Sequence, residues 1–422
     1  MAVTSARGMR DFLPRDKERR DALLGVISET YVRHGFEPIE TPALEDLERL
    51  HSGLGGDNEK LSFQVHKRGL KAEDIAQASS AEELSDLGLR FDLTVPLARF
   101  YASHHGALPP VFRSLHVGPV WRAERPQKGR YRQFVQCDID IVGQSEILAE
   151  VETMLATADV LDRLGVSAWS MRVNDRRLLL ELLASAGIEK EHHNTALITL
   201  DKLDKIGAEG VLEELGARLP HGFSSEVLVP VLSGVTPGFD PAAIAAMMGG
   251  SPAALDAATQ LCSWVGLIEE IRGQGEFVWD PTLVRGMGYY TGSIMEVTHP
   301  DLGVSLGGGG RYDGMIGRFL GTEVPAVGFS LGFERLVEVL QTESAVSPNR
   351  VALVYETGSD ISHVMRLKMQ LVATGHTVRL VAGTKNRRAL YERLAADGFS
   401  RAAEVDDSHL DAEHLPWRDL EA

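Results

Sequence analysis

Hydrophobic and polar positions follow two periods along the first part of the chain, and these predict mixed helices and strands. Apolar residues at helical spacing over 15–34, with Gly35 placed as the stop, predict an amphipathic helix. Alternation with a period of two predicts strands, because successive side chains of a strand point to opposite faces. The predicted strands are 36–40, 61–67, 89–93, 114–121 and 134–142, and a long helix follows over about 145–164.

The pattern changes between residues 175 and 275, where Leu- and Ala-rich helical segments are separated by Gly and Pro breaks. Strand signals return at 276–280, 293–298 and 327–331. After a linker at 342–348, strand and helix signals alternate over 351–396 and predict a small α/β module with a partly parallel sheet. We therefore predict an α+β fold, divided into 1–174, a helical insertion at 175–275, 276–341 and a C-terminal module at 349–422.

Composition and charge narrow the possible functions of the 422-residue chain. A net charge of −17 argues against nonspecific coating of nucleic acid, which requires a broadly basic surface, so any nucleic-acid contact is expected to be local. The two cysteines, Cys137 and Cys262, form no CxxC pair or Cys/His ligand spacing, so neither a disulfide framework nor a metal site is expected. We find no signal-peptide core and no membrane-spanning apolar run, which favours a cytoplasmic enzyme without membrane contact.

The segment 122–134, RAERPQKGRYRQF, holds five basic residues and one glutamate between two predicted strands. Arginine forks match phosphate and carboxylate oxygens with two hydrogen bonds each, so the pattern is typical of a hairpin that grips a polyphosphate. A solvated basic hairpin is the alternative. The five basic residues are Arg122, Arg125, Lys128, Arg130 and Arg132.

Three further segments carry candidate chemistry, each with a structural alternative. In LRFDLTVPLARF, Asp92 is either a ligand or a turn former. In LVRGMGYYTGSIMEV, the paired tyrosines either line a site or pack in the core. In GVSLGGGGRYDGMIGRF and VPAVGFSLGFERL, the glycine run either approaches a ligand or forms a flexible loop. Arg335, in the first turn of a predicted helix, either binds phosphate or is an ion-paired surface residue.

Together the four segments resemble the histidyl-tRNA synthetase family in order and spacing, over roughly residues 5–340. The basic hairpin is similar to motif 2 of the class II aminoacyl-tRNA synthetases, and the helix-strand-Pro42 unit is similar to motif 1, their dimerisation element. The resemblance therefore implies a dimer contact in this unit, supported by the amphipathic face at Leu23, Ile27 and Tyr31. RGMRDFLP, RVNDRRLL, LDKLDKIG, RGMGYYTG and GGRYDG are similar to family signatures. The resemblance implies an antiparallel class II catalytic sheet, a homodimer, formation of histidyl-adenylate from histidine and ATP, with Mg²⁺ bridging the phosphates, and transfer to tRNA(His).

The resemblance also implies roles by position. Arg122, Arg285 and Arg335 would be the catalytic cations along the phosphates. Asp92, Thr94 and Gln136 would bind the α-amino group of histidine, Asp140 and Tyr290 would face its imidazole, and Tyr289 would line the same pocket. The ATP pocket would consist of Arg122, Glu124, Arg130, Phe134 and Arg335, with Phe134 stacking on adenine. The expected tRNA contacts are Gln127 and Lys128 at the hairpin tip and Lys385, Arg387 and Arg388 in the last module.

Two departures from the family pattern keep alternatives open. Gly288 stands where the family usually has an aspartate, and the tail after residue 398 is acidic and poor in β-branched residues where the family has an apolar strand. The C-terminal module is therefore expected to be a shortened anticodon-binding-like domain. One alternative function is a non-catalytic histidine sensor resembling the regulatory subunit of ATP phosphoribosyltransferase. Another is an ATP-dependent histidine ligase with an acceptor other than tRNA.

Overall fold

The computed structural model describes the chain apart from residues 1–2, 52–60, 81, 127–129, 235, 274–275, 287, 301–302, 304, 341–346 and 421–422. It consists of two compact units. The larger unit comprises Met1–Asp11 and Leu23–Leu340, and the smaller unit comprises Phe12–Ala22 and Gln341–Ala422.

Helices and strands of the larger unit alternate along the chain much as the sequence predicts. The helices up to residue 163 are α1 (Pro14–Arg33), α2 (Leu47–His51), α3 (Ala72–Gln77), α4 (Thr94–His104) and α5 (Leu148–Arg163). The strands are β1 (Glu37–Ile39), β2 (Leu44–Asp46), β3 (Phe63–His66), β4 (Ser85–Leu89), β5 (Phe112–Trp121), β6 (Gln133–Val142), β7 (Ser170–Asp175), β8 (Phe277–Trp279), β9 (Ser293–Thr298), β10 (Ser305–Arg311) and β11 (Ala326–Gly332). Two later helices are α12 (Asp313–Leu320) and α13 (Phe333–Val339).

The central layer is an eight-stranded sheet in the order β1-β5-β6-β11-β10-β9-β7-β8. Its pairs are antiparallel except β1–β5 and β7–β8, which are parallel. This is the mainly antiparallel α+β fold that the sequence predicts. In β6, Cys137, Ile139 and Ile141 are fully buried in the core, and α5 packs against β6 and β11. Because side chains alternate along a strand, Gln136, Asp138 and Asp140 share the opposite face.

The segment between β7 and β8 is helical, as predicted. Its apolar faces pack together, and the longest helix also packs against α5 and α6. The helices are α6 (Arg176–Ser185), α7 (His193–Leu200), α8 (Leu203–Arg218), α9 (Ser225–Leu232), α10 (Pro241–Met247) and α11 (Pro252–Arg272).

Two local predictions in the larger unit need correction. The strand expected at 89–93 is β4, which ends at Leu89 because the following residues turn into α4. The glycine run is not a flexible loop: it forms β10 between β9 and β11. Side chains would clash there, since a Cβ at Gly309 would lie 2.1 Å from the carbonyl oxygen of Gly328.

The predicted amphipathic face of α1 packs inside its own chain. Ile27 and Tyr31 are fully buried in the core, and Leu23 and Leu24 pack against it. We expected this face to support a dimer contact, and for Ile27 and Tyr31 that expectation is wrong because no surface of either side chain is left for a partner. A different apolar surface lies on the small antiparallel sheet β2-β4-β3.

The smaller unit is a four-stranded sheet with the order β13-β12-β14-β15. Strand β12 pairs in parallel with both β13 and β14, and β15 adds an antiparallel edge. The strand that the acidic tail did not predict is present as β14, where Phe399, Ala402, Ala403 and Val405 are buried in place of a β-branched run. The elements are β12 (Ser347–Tyr355), α14 (Ile361–Ala373), β13 (Thr377–Ala382), α15 (Arg387–Ala396), β14 (Phe399–Val405) and β15 (Trp417–Asp419).

Candidate active site

Two adjoining cavities open on the face of the large sheet that carries the polar residues of β6. The larger has a volume of about 820 Å³ and the smaller about 380 Å³. They share a wall, so ligands bound in the two cavities would lie next to each other. The wall contains Arg122, Gln136, Arg285, Tyr289 and Tyr290.

Four carboxyl groups line the larger cavity: Asp92, Asp138 and Asp140, and Asp201 at the end of α7. Burial raises the pKa of Asp92 to about 6 and that of Asp140 to about 7. Burial, followed by the negative charge of Asp140, holds the pKa of Asp138 well above its usual range. Burial and mutual repulsion disfavour the ionised forms of these carboxyl groups. The wall is therefore suited to a cationic ligand, whose positive charge would stabilise the ionised carboxylates.

Asp92 has two roles at once. Its Oδ1 accepts a hydrogen bond at 3.1 Å from the backbone N–H of Val95, one of the first-turn donors of α4 that have no partner within the helix. The same carboxyl group faces the larger cavity together with Thr94, the first residue of α4. The turn-forming and ligand-facing alternatives from the sequence are therefore compatible.

The side-chain amide of Gln136 is oriented by two acceptors. Its Nε2 donates to Ser330 Oγ at 2.7 Å and to Asp138 Oδ1 at 3.4 Å. Its Oε1 is buried and accepts no hydrogen bond from the part of the chain that the structure describes. A buried amide oxygen without a donor is costly, so this atom favours a ligand that brings N–H groups.

Asp140 lines the larger cavity, next to Tyr312 and directly opposite Gly328 of β11. The Tyr312 hydroxyl donates to Asp140 Oδ1 at 2.5 Å, and this hydrogen bond opposes the effect of burial on the pKa of Asp140. Tyr289 and Tyr290 form the adjacent wall, with ring centres 4.5 Å apart and planes at 58°. Tyr290 is buried, whereas Tyr289 is only partly so, which means that core packing and site lining both apply to this pair.

Positive charge concentrates around the smaller cavity. Burial lowers the pKa of Arg335, and the charges of Arg285, Arg130 and Arg122 lower it further. Arg122 Nε donates to the carbonyl oxygen of Phe91 at 3.0 Å, and Arg130 Nη1 lies 3.8 Å from Glu124 Oε2. The cavity therefore has the electrostatic character of a polyanion site. Glu124, Arg130, Phe134 and Arg335, which the resemblance assigns to one pocket, all line it.

Phe134 provides a flat apolar wall in this cavity. Its ring centre lies 5.0 Å from the guanidinium carbon of Arg122. Cations and planar π systems both pack on aromatic rings. Phe134 therefore offers a ring at the cavity on which an adenine could stack, as the resemblance implies.

The N-terminal signature RGMRDFLP supports the basic hairpin. The backbone N–H of Arg132 donates to Gly8 O at 2.8 Å, and Arg10 forms an ion pair with Glu334. The guanidinium of Arg10 also lies 3.3 Å from the ring centre of Tyr131. A segment distant in sequence thereby fixes both the hairpin and the first turn of α13.

Three of the predicted tRNA contacts, Lys385, Arg387 and Arg388, belong to the smaller unit. Gln127 and Lys128 lie outside the described residues. Lys385 is exposed in the smaller unit. Arg387 is ion-paired with Glu356 and Glu404, and Arg388 with Glu392, so each of these arginines already has a carboxylate partner.

Several cavity residues were missed at the sequence level. The period-two alternation of QCDID, which links Gln136 to Asp140, could have identified Asp138. The others, apart from Asn194, stand in segments quoted above. The residue pattern does not show which of them face a ligand, because strand pairing and helix packing bring them to the site. These residues are Ser305, Tyr312, Ser330 and, from the helical insertion, Asn194, Asp201, Lys202 and Lys205.

The described part of the chain contains neither a cluster of metal ligands nor a membrane-spanning helix. We found no group of three or more His, Cys, Asp or Glu side chains that could hold a metal ion. No helix there combines the length and apolar character needed to cross a membrane.

Comparisons with known proteins agree with the motifs. A family model described as histidyl-tRNA synthetase matches residues 8–336. A histidine–tRNA ligase from Leifsonia xyli subsp. xyli is 52% identical over 417 residues, which cover 96% of this chain and 95% of that protein. One from Aeropyrum pernix is 39% identical over 340 residues, which cover 79% of this chain and 73% of that protein.

Solved structures share the fold. Histidyl-tRNA synthetase from Nostoc sp. PCC 7120 superposes with a TM-score of 0.80 at 24% identity and covers 100% of this chain and 95% of its own. A protein from Bacillus halodurans C, titled an ATP phosphoribosyltransferase regulatory subunit/histidyl-tRNA synthetase, gives a TM-score of 0.76 at 22% identity, covering 96% and 98%. On the family model and the sequence relatives, the chain belongs to the histidyl-tRNA synthetase family.

Proposed function

We propose that the protein is a histidine–tRNA ligase: it activates histidine with ATP and transfers the histidyl group to the 3′ end of tRNA(His). One observation carries the proposal. A carboxylate-lined cavity and an arginine-lined cavity meet at Arg122 and Arg285, so an amino acid in the first and a triphosphate in the second would place their reacting groups side by side.

The larger cavity suits histidine. Its α-ammonium group would bind to Asp92, Thr94 and the free Oε1 of Gln136, where it relieves the cost of buried negative charge. Its imidazole would lie between Asp140 and Tyr290, with Tyr289 alongside. A site that hydrogen-bonds both ring nitrogens rejects isosteres that lack them, because unmatched buried polar groups lower affinity.

The smaller cavity suits ATP. The histidine carboxylate oxygen attacks the α-phosphorus, the bond to the bridging oxygen breaks, and pyrophosphate leaves. Two anions must approach, and the transition state spreads charge over phosphate oxygens, so fixed cations contribute more than a general base. Arg122 and Arg285 would hold the α-phosphate, Arg335 the γ-phosphate, and Glu124, Arg130 and Phe134 the rest of the nucleotide.

Magnesium would enter with the nucleotide. The carboxylates at the smaller cavity already have cationic partners: Glu124 lies near Arg130, and Glu334 is paired with Arg10. This donor set does not fit a resident magnesium ion, which requires several free oxygen ligands. Mg²⁺ bound to the phosphates, with most of its waters retained, is the form consistent with these residues, so we regard Mg²⁺ with ATP as the substrate.

Transfer to tRNA is the second step. The 3′-terminal ribose hydroxyl would attack the carbonyl carbon of the adenylate, AMP would leave, and the histidyl ester would form. An acidic protein needs local positive charge for RNA, and we propose Gln127 and Lys128 for the acceptor end and Lys385, Arg387 and Arg388 for the anticodon side. A cytoplasmic location accords with these substrates.

We also propose a homodimer, through the small sheet β2-β4-β3. Leu44, Val65 and Leu87 are large apolar residues with exposed fractions of 41%, 36% and 37%. The register pairs Val65 with Leu87 and Leu44 with Leu89, so these side chains form rows on one face. An apolar sheet face of this kind is typical of an isologous contact with a second copy.

The decisive experiment is histidine-dependent exchange of pyrophosphate into ATP, followed by charging of tRNA from the same organism. We expect both activities. Absence of exchange would support the histidine sensor, and exchange without charging would support a ligase with another acceptor. Retention of the arginines at the smaller cavity favours the ligase over the sensor, since binding histidine alone requires no phosphate contacts.

A further inference from the structure

Ser305 holds two arginines of the smaller cavity with its own oxygen atoms. Arg285 Nη2 donates to Ser305 Oγ at 2.8 Å. Arg335 Nη1 donates to the carbonyl oxygen of Ser305 at 2.5 Å and to Oγ at 3.1 Å. One hydroxyl oxygen therefore accepts from two guanidinium groups that come from different parts of the chain.

A bulge in β10 brings Ser305 into this position. Ser305 lies opposite Thr298 of β9, yet Gly307 lies opposite Val297, so one extra residue is inserted between them. Such bulges redirect side chains and occur next to active sites. Ser305 is 7% exposed and lines the smaller cavity, so its side chain is held in place by packing while it contacts the cavity arginines.

The two guanidinium groups repel each other. After burial, the charge of Arg285 is the strongest influence that lowers the pKa of Arg335. An ion pair between Arg285 and Glu296 balances part of this charge, and Glu296 is shared with Arg172 at 3.1 Å. Without an acceptor between them, like charges would move apart, so the oxygens of Ser305 oppose that separation.

The geometry points to Ser305 as a positioning residue for the phosphoryl-transfer step, which sets the spacing of Arg285 and Arg335 so that they bind the two ends of one triphosphate. This inference rests on the proposed function and deepens it. Both oxygens of Ser305 are taken up by arginine donors, so it acts through them. Correctly placed cations act on charge that develops in the transition state, and small displacements weaken them.

The test compares Ser305→Ala with the wild type in pyrophosphate exchange. We expect the KM values for ATP and pyrophosphate to rise, and kcat to fall, by roughly ten- to a hundredfold in total, the range for losing hydrogen bonds to charged groups. The KM for histidine should stay unchanged, which a general loss of structure would not allow. Ser170→Ala is the matched control, because it removes a hydroxyl that bonds Thr298 Oγ1 at 3.0 Å in the same row of the sheet, away from both cavities.

Two further variants keep the test decisive if Ser305→Ala does not fold. Ser305→Thr keeps the hydroxyl and Ser305→Val replaces it with a methyl group of similar shape, so a difference between them reports on the hydroxyl. In a double-mutant cycle, Ser305→Ala should have a smaller effect when Arg335 is already alanine. The inference is overturned if a folded Ser305→Ala or Ser305→Val variant keeps the KM for ATP and pyrophosphate, or if the KM for histidine rises equally. A wild type without exchange would instead refute the proposed function.

Discussion

Asp140 occupies the space that any side chain at position 328 would need. A Cβ added at Gly328 would lie 1.9 Å from Asp140 Oδ1, and the two residues are directly paired between β6 and β11. The glycine therefore lets the carboxylate lie flat on the sheet, where Tyr312 donates to it.

Gly328→Ala should displace Asp140 and weaken histidine binding. Loss of a charged hydrogen-bond partner is worth about 1.5–3 kcal/mol, so we expect the KM for histidine to rise by at least roughly tenfold, with the KM for ATP little changed. Exchange kinetics with each substrate varied in turn will measure this. Gly314→Ala is the control, since a Cβ there meets no atom within 4 Å. A Gly328→Ala variant with normal histidine KM would contradict the placement of the imidazole.

Histidine affinity should depend on pH through the buried carboxyl groups. In the free protein the pKa values of Asp92 and Asp140 are raised to about 6 and about 7, and only the ionised forms attract the α-ammonium group and the imidazole N–H. The dissociation constant should therefore rise as the pH falls through this window. Calorimetric titration with histidine across it will show the trend, and Asp140→Asn should remove the part of the slope nearest neutrality. An affinity independent of pH would contradict the account.

The free energy of unfolding should also depend on pH through Asp92 and Asp140. Their folded pKa values lie above those in the unfolded chain, so their stabilising contribution is complete below about pH 4 and is lost as the pH rises through about 6 to 7. Added histidine should reverse that loss, because its α-ammonium group compensates the ionised carboxylates. Thermal unfolding across this range, with and without histidine, should show a stabilisation that grows with pH. A ligand effect that shrank with pH would contradict the assignment.

Leu87→Glu should break the dimer, because it puts a charge on the central strand of the exposed apolar sheet. Sedimentation should show a dimer for the wild type at micromolar concentration and a monomer for the variant. Leu410→Glu is the control, since Leu410 is an exposed leucine in the smaller unit. A monomeric wild type would refute the dimer, and a dimeric Leu87→Glu variant would exclude this sheet as its surface.

Lys385→Ala should weaken tRNA binding without affecting histidine activation. Removing one phosphate contact should lower the log–log salt dependence of binding by about one unit. Binding measured over a series of salt concentrations will test it. Lys17→Ala is the matched control because Lys17 is an exposed lysine of the same unit, paired with Asp21. An unchanged salt dependence would remove Lys385 from the RNA surface.

The sequence predicted the elements whose signals are local. The alternation in β6 and the helical periods of α1, α5 and the insertion appear in the structure within a few residues. It failed where tertiary contacts decide: the glycine run became a central strand because neighbouring backbones leave no room for side chains. Likewise, β14 is built from small buried residues such as Ala402 and Ala403, which carry no strong strand signal.

The residues of the candidate site also fall into those that the sequence could identify and those that it could not. Residues such as Arg122 and Asp92 could be identified because they stand in motifs that resemble a family. Ser305 and Tyr312 stand in a quoted motif as well, but their roles could not be predicted from it, because these depend on Arg335 and Asp140, which strand pairing and helix position bring to them from elsewhere in the chain.

Pyrophosphate exchange by Arg285→Ala tests the central claim most directly, since Arg285 lies in the shared wall of the two cavities and its cation would act on charge that develops in the transition state. The wild type should exchange pyrophosphate in a histidine-dependent manner, and the folded variant should lose on the order of a hundredfold or more in turnover. Arg163→Ala, which removes a surface arginine paired with Asp159, should retain full activity. Near-normal exchange by a folded Arg285→Ala variant would contradict the account.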